Sequence, residues 1–285
     1  MIYTLKCGNC VGEVSTKGAE MVAFRKNGND ALWQGDPEIW DEHSPLLFPF
    51  CCLLKDNKVL IEGKQYAMGA HGFIRFMEFE VECATDTHIE LVARSNKETL
   101  KMYPYEFVMR VTHDVNESGF STEFKVQNPS DREIKYCIGA HPGFYTGSIE
   151  DWQLVFDKPV DQTLYYTTPE RYMDLSLVHS RRLTTVFELR YEDFAKNAFM
   201  ALEPDFNSVR LVNKHTGKGY EFSFNNFSVF AMWTSSERNC PYICLEPWNG
   251  VPAFVDESGN FEDKPYLQTL APNEERAVSY SVKLI

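Results

Sequence analysis

The stretch Arg75-Phe76-Met77-Glu78-Phe79-Glu80-Val81-Glu82-Cys83 decides the fold class. Met77, Phe79, Val81 and Cys83 alternate with Glu78, Glu80 and Glu82, a period of two that belongs to a strand with one wet face. The same signature returns along the chain. Phe107, Met109 and Val111 carry it between Glu106 and Thr112, and Phe124 and Val126 between Thr122 and Gln127. Tyr220, Phe222 and Phe224 alternate with Glu221 and Ser223, and Val278, Tyr280, Val282 and Leu284 with Ser279, Ser281 and Lys283. Asn116-Glu117-Ser118-Gly119 and Asn128-Pro129-Ser130-Asp131 are turn signals between such runs.

Shorter runs extend the reading toward the N-terminus. Glu13 to Asn27 reads as a pair of short strands, and Lys58 to Tyr66 as another pair around Gly63. Asp36-Pro37 opens one helical turn, with Asp at the cap and Pro in the first position. Helical period is otherwise scarce. Leu189 to Met200, with Phe194, Ala198 and Phe199 on one side, is the best short helix. The expectation is an all-β chain: a large antiparallel β-sandwich with few short helices. No repeat of about 20–50 residues and no low-complexity linker divides it, so residues 1–285 read as a single domain.

Composition narrows the function. Of 285 residues, 44% are hydrophobic and 24% charged, enough for a sizeable core. A net charge of −13 argues against nucleic acid and against anionic membrane surfaces as partners. No apolar run reaches membrane-spanning length and no signal peptide is visible, so the expected location is the cytoplasm. There the eight cysteines are expected as thiols. Cys7-Gly8-Asn9-Cys10 has the spacing of half a zinc site, but Cys51-Cys52 is too close a pair to complete it, and no metal is expected.

Candidate chemistry lies at bends. His141 sits in Ile138-Gly139-Ala140-His141-Pro142-Gly143-Phe144 and His71 in Ala70-His71-Gly72-Phe73-Ile74-Arg75, each framed by Gly or Pro. His88, His113, His179 and His215 lack that frame and read as surface or structural. Glu246 ends the apolar run Tyr242-Ile243-Cys244-Leu245 and precedes Pro247-Trp248. A carboxylate there needs a partner such as Arg75 or Arg238, or it is a general base raised toward neutrality by apolar surroundings. Trp33, Trp40, Trp233 and Trp248 lie beside polar residues, where an indole face either stacks on a sugar or fills core. There is no phosphate-cradling glycine loop and no Gly-x-Ser-x-Gly elbow.

These stretches, in this order, resemble the aldose 1-epimerase (galactose mutarotase) family, in particular its lactose-operon-associated bacterial branch. The resemblance spans the chain. It runs through Gly18-Ala19-Glu20, Trp33-Gln34-Gly35-Asp36-Pro37, Ser44-Pro45-Leu46-Leu47-Phe48-Pro49 and the stretches around His71, His141 and Glu246, and ends in Leu267 to Glu275. It implies the galactose mutarotase-like sandwich and an isomerase that interconverts the anomers of a free aldohexose. His141 matches the general acid, Glu246 the general base, His71 a second histidine that donates to the sugar, and Arg75 a substrate-contacting arginine. Trp33, Trp248 and Asp36 are carried as further substrate contacts, with no cofactor and a small-molecule sugar as partner. Two departures stand out. His43 replaces a usual arginine, and the family's substrate-binding aspartate has no clear counterpart among Asp174, Asp193, Asp205 and Asn197. A hexose-6-phosphate mutarotase, which needs at least two basic groups near the sixth carbon, and a non-catalytic sugar-binding protein are the alternatives.

Overall fold

The alternating runs become neighbours in one nine-stranded sheet of the computed structural model, which describes residues 1–235 and 239–285. The order is Val186–Glu188, Trp152–Val155, Ser208–Asn213, Gly219–Asn225, Glu275–Leu284, Gly119–Gln127, Val108–Val115, His88–Arg94 and Glu80–Ala84. Its central pairs are antiparallel, with Phe124 opposite Val278 and Phe222 opposite Val282. Phe107, Met109, Val111, Phe124, Val126, Phe222, Val278, Tyr280 and Val282 are all buried, on the face the period assigns to the core.

The stretch around Glu78 departs from its expected regularity. Ile74–Phe76 is a 3₁₀ turn, and the strand begins only at Glu80. This is the outermost strand, its register shifts between Val81 and Cys83, and Cys83 is exposed. With a neighbour on one side only, an edge strand tolerates the bulge that turns Cys83 outward.

A second sheet of eight strands covers the first. Its path is Met173–Val178, Tyr165–Thr167, Phe199–Leu202, Val229–Trp233, Tyr242–Asn249, Ile138–Ala140 and Leu46–Leu47, with Gly143–Tyr145 also paired to Tyr242–Asn249. The sheets meet through aromatic rings: Phe224 and Phe230 stack at 5.5 Å, Phe144 lies 5.7 Å from Phe222, and Phe48 lies 4.9 Å from Phe107. The result is a large antiparallel β-sandwich whose main apolar cluster has members from Leu5 to Val282.

Ile2–Cys7, Cys10–Ser15, Glu20–Lys26 and Asn29–Asp30 form a separate four-stranded sheet. Cys7 and Cys10 pair across its first hairpin, so their spacing is that of a two-residue turn with Gly8 at φ 56°. Among the described residues the α-helix is confined to Thr99–Met102. The helix expected over Leu189–Met200 is instead one 3₁₀ turn, Tyr191–Phe194, followed by the strand Phe199–Leu202. Phe194 and Phe199 both enter the core with rings 4.8 Å apart, and five positions apart they do not share a helix face. No helix among the described residues is long and apolar enough to cross a membrane.

Candidate active site

The strand Tyr242–Asn249 lies inside the eight-stranded sheet, and all eight of its residues are buried. Alternation sends Ile243 and Leu245 into the sandwich core, while Tyr242 and Cys244 join a smaller cluster with Trp33 and Cys240. Further along the same strand Glu246 and Trp248 line a cleft. The sequence places the end of this strand at Glu246, before the proline. In the structure it continues to Asn249, because its neighbour on one side is broken there. Gly139 pairs with Trp248 and Gly143 with Cys244, so Ala140 to Pro142 and Leu245 to Pro247 face each other across a gap in the ladder. A proline without an N–H is tolerated opposite such a gap. His141 leaves the sheet at this gap and arrives beside Glu246.

His141 Nε2 stands 3.0 Å from Glu246 Oε2. Glu246 is 1% exposed, and among the described residues neither of its oxygens has a well-aligned hydrogen bond. Arg75, one partner suggested by the sequence, pairs instead with Glu42 (Nε to Oε1, 3.1 Å), and Arg238, the other, lies outside the described residues. Burial pushes the Glu246 carboxyl well above the usual carboxylate range and holds the His141 imidazole well below its ordinary value. Attraction between the charged forms opposes both shifts, and at 3.0 Å the two groups titrate as a coupled pair rather than separately. The imidazole is wedged between indoles, with Trp40 at 5.1 Å and Trp233 at 5.7 Å, and its Nδ1 has no partner among the described residues. Packing sets its direction. The flanking glycines serve that packing: a Cβ on Gly139 meets Trp248 Cδ1 at 2.4 Å, and one on Gly143 meets Trp40 Cζ3 at 2.9 Å.

His71 is held by backbone. It takes φ 62°, its N–H donates to Cys52 O at 2.7 Å, and its Nδ1 accepts the Cys52 N–H at 3.0 Å. Gly72 follows at φ 71°, where a Cβ falls 2.1 Å from Phe48 O. With Nδ1 an acceptor, the proton of the neutral ring is on Nε2. Burial, followed by the His141, Arg75 and Arg171 charges, lowers the pKa well below the ordinary histidine value, so His71 is a neutral hydrogen-bond donor. Its ring meets that of His141 edge-on at 5.5 Å.

The cleft has a volume of about 330 Å³. His71, Arg75, His141, Glu246 and Trp248 line it; Trp33 and Asp36 do not. Trp33 lies behind the wall, its Nε1 donating to Trp40 O at 2.8 Å and its ring 4.8 Å from Tyr242. Asp36 holds the turn that delivers Trp40, its carbonyl accepting the Trp40 N–H at 2.7 Å and its Oδ1 the Glu38 N–H at 2.9 Å. Trp40 and Trp233, raised in the sequence only as members of a group of tryptophans, are lining residues. Glu42, Thr167 and Arg171 also line the cleft and carried no local signal. Of the four candidates for the family's aspartate, only Asn197 lines it. Asp193 is buried against Arg181, Asp205 pairs with Lys158, and Asp174 accepts from Ser176. His43 stands outside the lining, with Nδ1 3.6 Å from Glu20 Oε1.

Ligand atoms of His141, Cys244 and Glu246 lie within 4.8 Å of one another. Burial raises the Cys244 thiol well above its ordinary value, so it is protonated beside the pair.

Comparison with known proteins agrees in extent. The chain is 28% identical to the chromosomal protein LacX of Lactococcus lactis subsp. lactis over 303 aligned positions that cover all of both chains. The solved structure of a galactose mutarotase related enzyme from Lactobacillus acidophilus superposes with a TM-score of 0.91 at 26% identity, over 100% of this chain and 97% of that one. A galactose mutarotase-like protein from Lactobacillus casei gives 0.92 at 21% identity over the whole of both chains, a likeness of fold. A model of the family described as aldose 1-epimerase matches residues 1–283, and the chain belongs to that family.

Proposed function

We propose that the protein is a mutarotase that interconverts the α and β anomers of an aldohexose. The observation that carries this reading is the contact of His141 Nε2 with Glu246 Oε2 at 3.0 Å on the floor of a cleft lined by indoles. Ring opening needs a proton donor at the ring oxygen and an acceptor at the C1 hydroxyl. One buried pair that holds a single proton between two nitrogen and oxygen bases meets that need. In the forward step protonated His141 gives its proton to O5 while the Glu246 carboxylate takes the proton of O1–H. The C1–O5 bond breaks to an open-chain aldehyde. After rotation about C1–C2, O5 attacks the other face of C1, the Glu246 proton returns to O1, and His141 recovers its proton from O5. No net proton enters or leaves. Neutral His71 donates from Nε2 to a sugar oxygen, and Trp40, Trp233 and Trp248 offer faces and edges to the pyranose. Eight cysteines outside any disulfide suit the cytoplasm as its location.

The test is the relaxation of freshly dissolved α-D-glucose and α-D-galactose with and without enzyme. Acceleration by wild type that is lost in Glu246→Gln supports the reading. Absence of acceleration, together with sugar binding that survives both His141→Ala and Glu246→Ala, overturns it in favour of a sugar-binding protein.

A further inference from the structure

Cys244 has no part in the proton transfer proposed above, yet it stands beside both groups that do. The strand Tyr242–Asn249 puts Cys244 and Glu246 on one face, two residues apart, and His141 joins them where its own side of the ladder breaks. Small neighbours leave room, with Gly143 opposite Cys244 and Ala231 opposite Glu246. One ligand atom of each residue, an imidazole nitrogen, a thiol sulfur and a carboxylate oxygen, lies within 4.8 Å of the other two. The chain carries 41 Asp and Glu, 8 Cys and 7 His, and no other group of three or more is so placed among the described residues. Cys7 and Cys10, whose spacing suggests half a zinc site, belong to no such group there.

The trio is unlike a cluster of surface acids. All three residues are buried, and His141 and Glu246 line the cleft. Neither oxygen of Glu246, a residue 1% exposed, has a well-aligned hydrogen bond among the described residues. A buried carboxyl in that state is costly, and a cation in reach of it removes the cost. The donor set is mixed as well. One sulfur, one nitrogen and one oxygen suit Zn²⁺ and similar thiophilic cations, whereas Mg²⁺ and Ca²⁺ take oxygen ligands. Bonds of about 2.0–2.3 Å set tetrahedral ligands about 3.3–3.8 Å apart, so the contact of His141 Nε2 with Glu246 Oε2, at 3.0 Å, opens slightly while the thiol closes in. Zn²⁺ with one thiolate, one carboxylate and one neutral imidazole has no net charge, so the filled site buries none. We propose that His141, Cys244 and Glu246 bind a thiophilic divalent cation, with Zn²⁺ as its type, and that the bound metal inhibits the enzyme by occupying the two groups that move protons. Binding releases the Cys244 proton, and any proton on the pair, to solvent. The inhibition rests on the mutarotase reading, and the binding does not.

The test titrates the metal-free protein with Zn²⁺ against a chromophoric chelator and takes X-ray absorption spectra of the loaded protein. Wild type is expected to bind one equivalent, with one sulfur at about 2.3 Å among nitrogen and oxygen ligands. Cys244→Ala and Cys244→Ser should each weaken binding by about 100-fold or more, since losing even a partner that orients a ligand costs about 10–100-fold. Anomer exchange by wild type should stop on addition of Zn²⁺ and return with EDTA, and Mg²⁺ and Ca²⁺ should leave it unchanged. Cys244→Ala should keep the metal-free rate and need about 100-fold more Zn²⁺ for half inhibition. Absence of a bound equivalent overturns the proposal. So does a sulfur count other than one, which wild type alone decides if the Cys244 variants do not fold. Binding or inhibition that survives in a folded Cys244 variant, or binding that leaves the rate untouched, overturns it as well. If no sugar exchanges faster, the mutarotase reading fails, and the stoichiometry, the sulfur count and the Cys244 variants still judge the metal site.

Discussion

The two sheets of the sandwich are built from the same kind of strand, yet they divide the labour. In the nine-stranded sheet Glu275–Leu284 alternates between buried and open positions, and its one fully enclosed histidine, His113, is satisfied on both sides. His113 Nε2 donates to Ala19 O at 2.9 Å, and Nδ1 accepts from Thr122 Oγ1 at 2.9 Å. In the eight-stranded sheet Tyr242–Asn249 is buried throughout, and among the described residues its enclosed pair, His141 and Glu246, is satisfied by little besides each other. Burial alone therefore does not mark function. A buried imidazole with both nitrogens bonded is explained by structure, and one in contact with a buried carboxyl on the wall of a cleft is the arrangement that the proposed proton transfer needs.

Replacing the buried carboxyl of the eight-stranded sheet sharpens that contrast most. Glu246→Gln keeps shape and volume, and we expect kcat/KM for mutarotation to fall by about 10²–10⁴. Its thermal midpoint should hold or rise, since a buried ionisable group is lost. A variant that keeps its rate breaks the assignment of the two sheets. The mirror experiment is Phe222→Ala, which removes a ring that meets Phe144, Phe230 and Tyr280. It is expected to cost about 3–5 kcal/mol of unfolding free energy by denaturant titration. The fraction that remains folded should turn over sugar as before.

The two histidines separate by pH. Burial lowers the His113 pKa from 6.5 to about 4. The unfolded chain takes up this proton near 6.5 and the folded one resists it, so the contribution is complete above 6.5 and is lost as pH falls toward 4. At about 1.4 kcal/mol per unit, this removes about 3 kcal/mol over that window. Denaturation midpoints between neutral pH and pH 4 should show a shallower slope in His113→Gln, while the pH limbs of the rate stay in place. The rate limbs belong to the other pair. If the proposed mechanism holds, activity requires one proton on His141 and Glu246 together, and we expect it to decline at low pH when the pair takes a second proton and at high pH when it loses the first.

This division also explains what could be read from the sequence. Period two is legible where one face is wet, and the strands that carry Phe107, Phe124, Phe222 and Tyr280 were visible for that reason. Tyr242–Asn249 has no wet face, so its extent was hidden and Pro247 suggested an end that the structure does not have. His71, His141 and Glu246 were legible because Gly, Pro or an apolar run framed each of them. Glu42 and Arg171 were not, since nothing in their local sequence frames them: Glu42 takes its place from Arg75, distant in sequence, and Arg171 from the fold that brings its turn to the cleft. Trp33 drew attention in place of Trp40 because only the fold of the turn from Asp36 decides which indole reaches the cleft.

The smallest expected effect tests the silent side of the comparison. Ser281 is exposed in mid-strand, paired with Ser121 on one side and Ser223 on the other. It lies between buried Tyr280 and Val282, so its side chain points away from the core and from the cleft. Ser281→Val adds a β-branched side chain to a wet face, where propensity and slight extra contact act against the loss of a solvated hydroxyl. Stability should move by no more than about 0.5 kcal/mol in either direction, and the anomerisation rate should not move at all. A change in rate from this position would mean that the nine-stranded sheet is coupled to the cleft through the shared core. The clean separation of the two sheets would then have to be replaced by one in which Phe224 and Phe230, stacked across the interface, transmit strain between them.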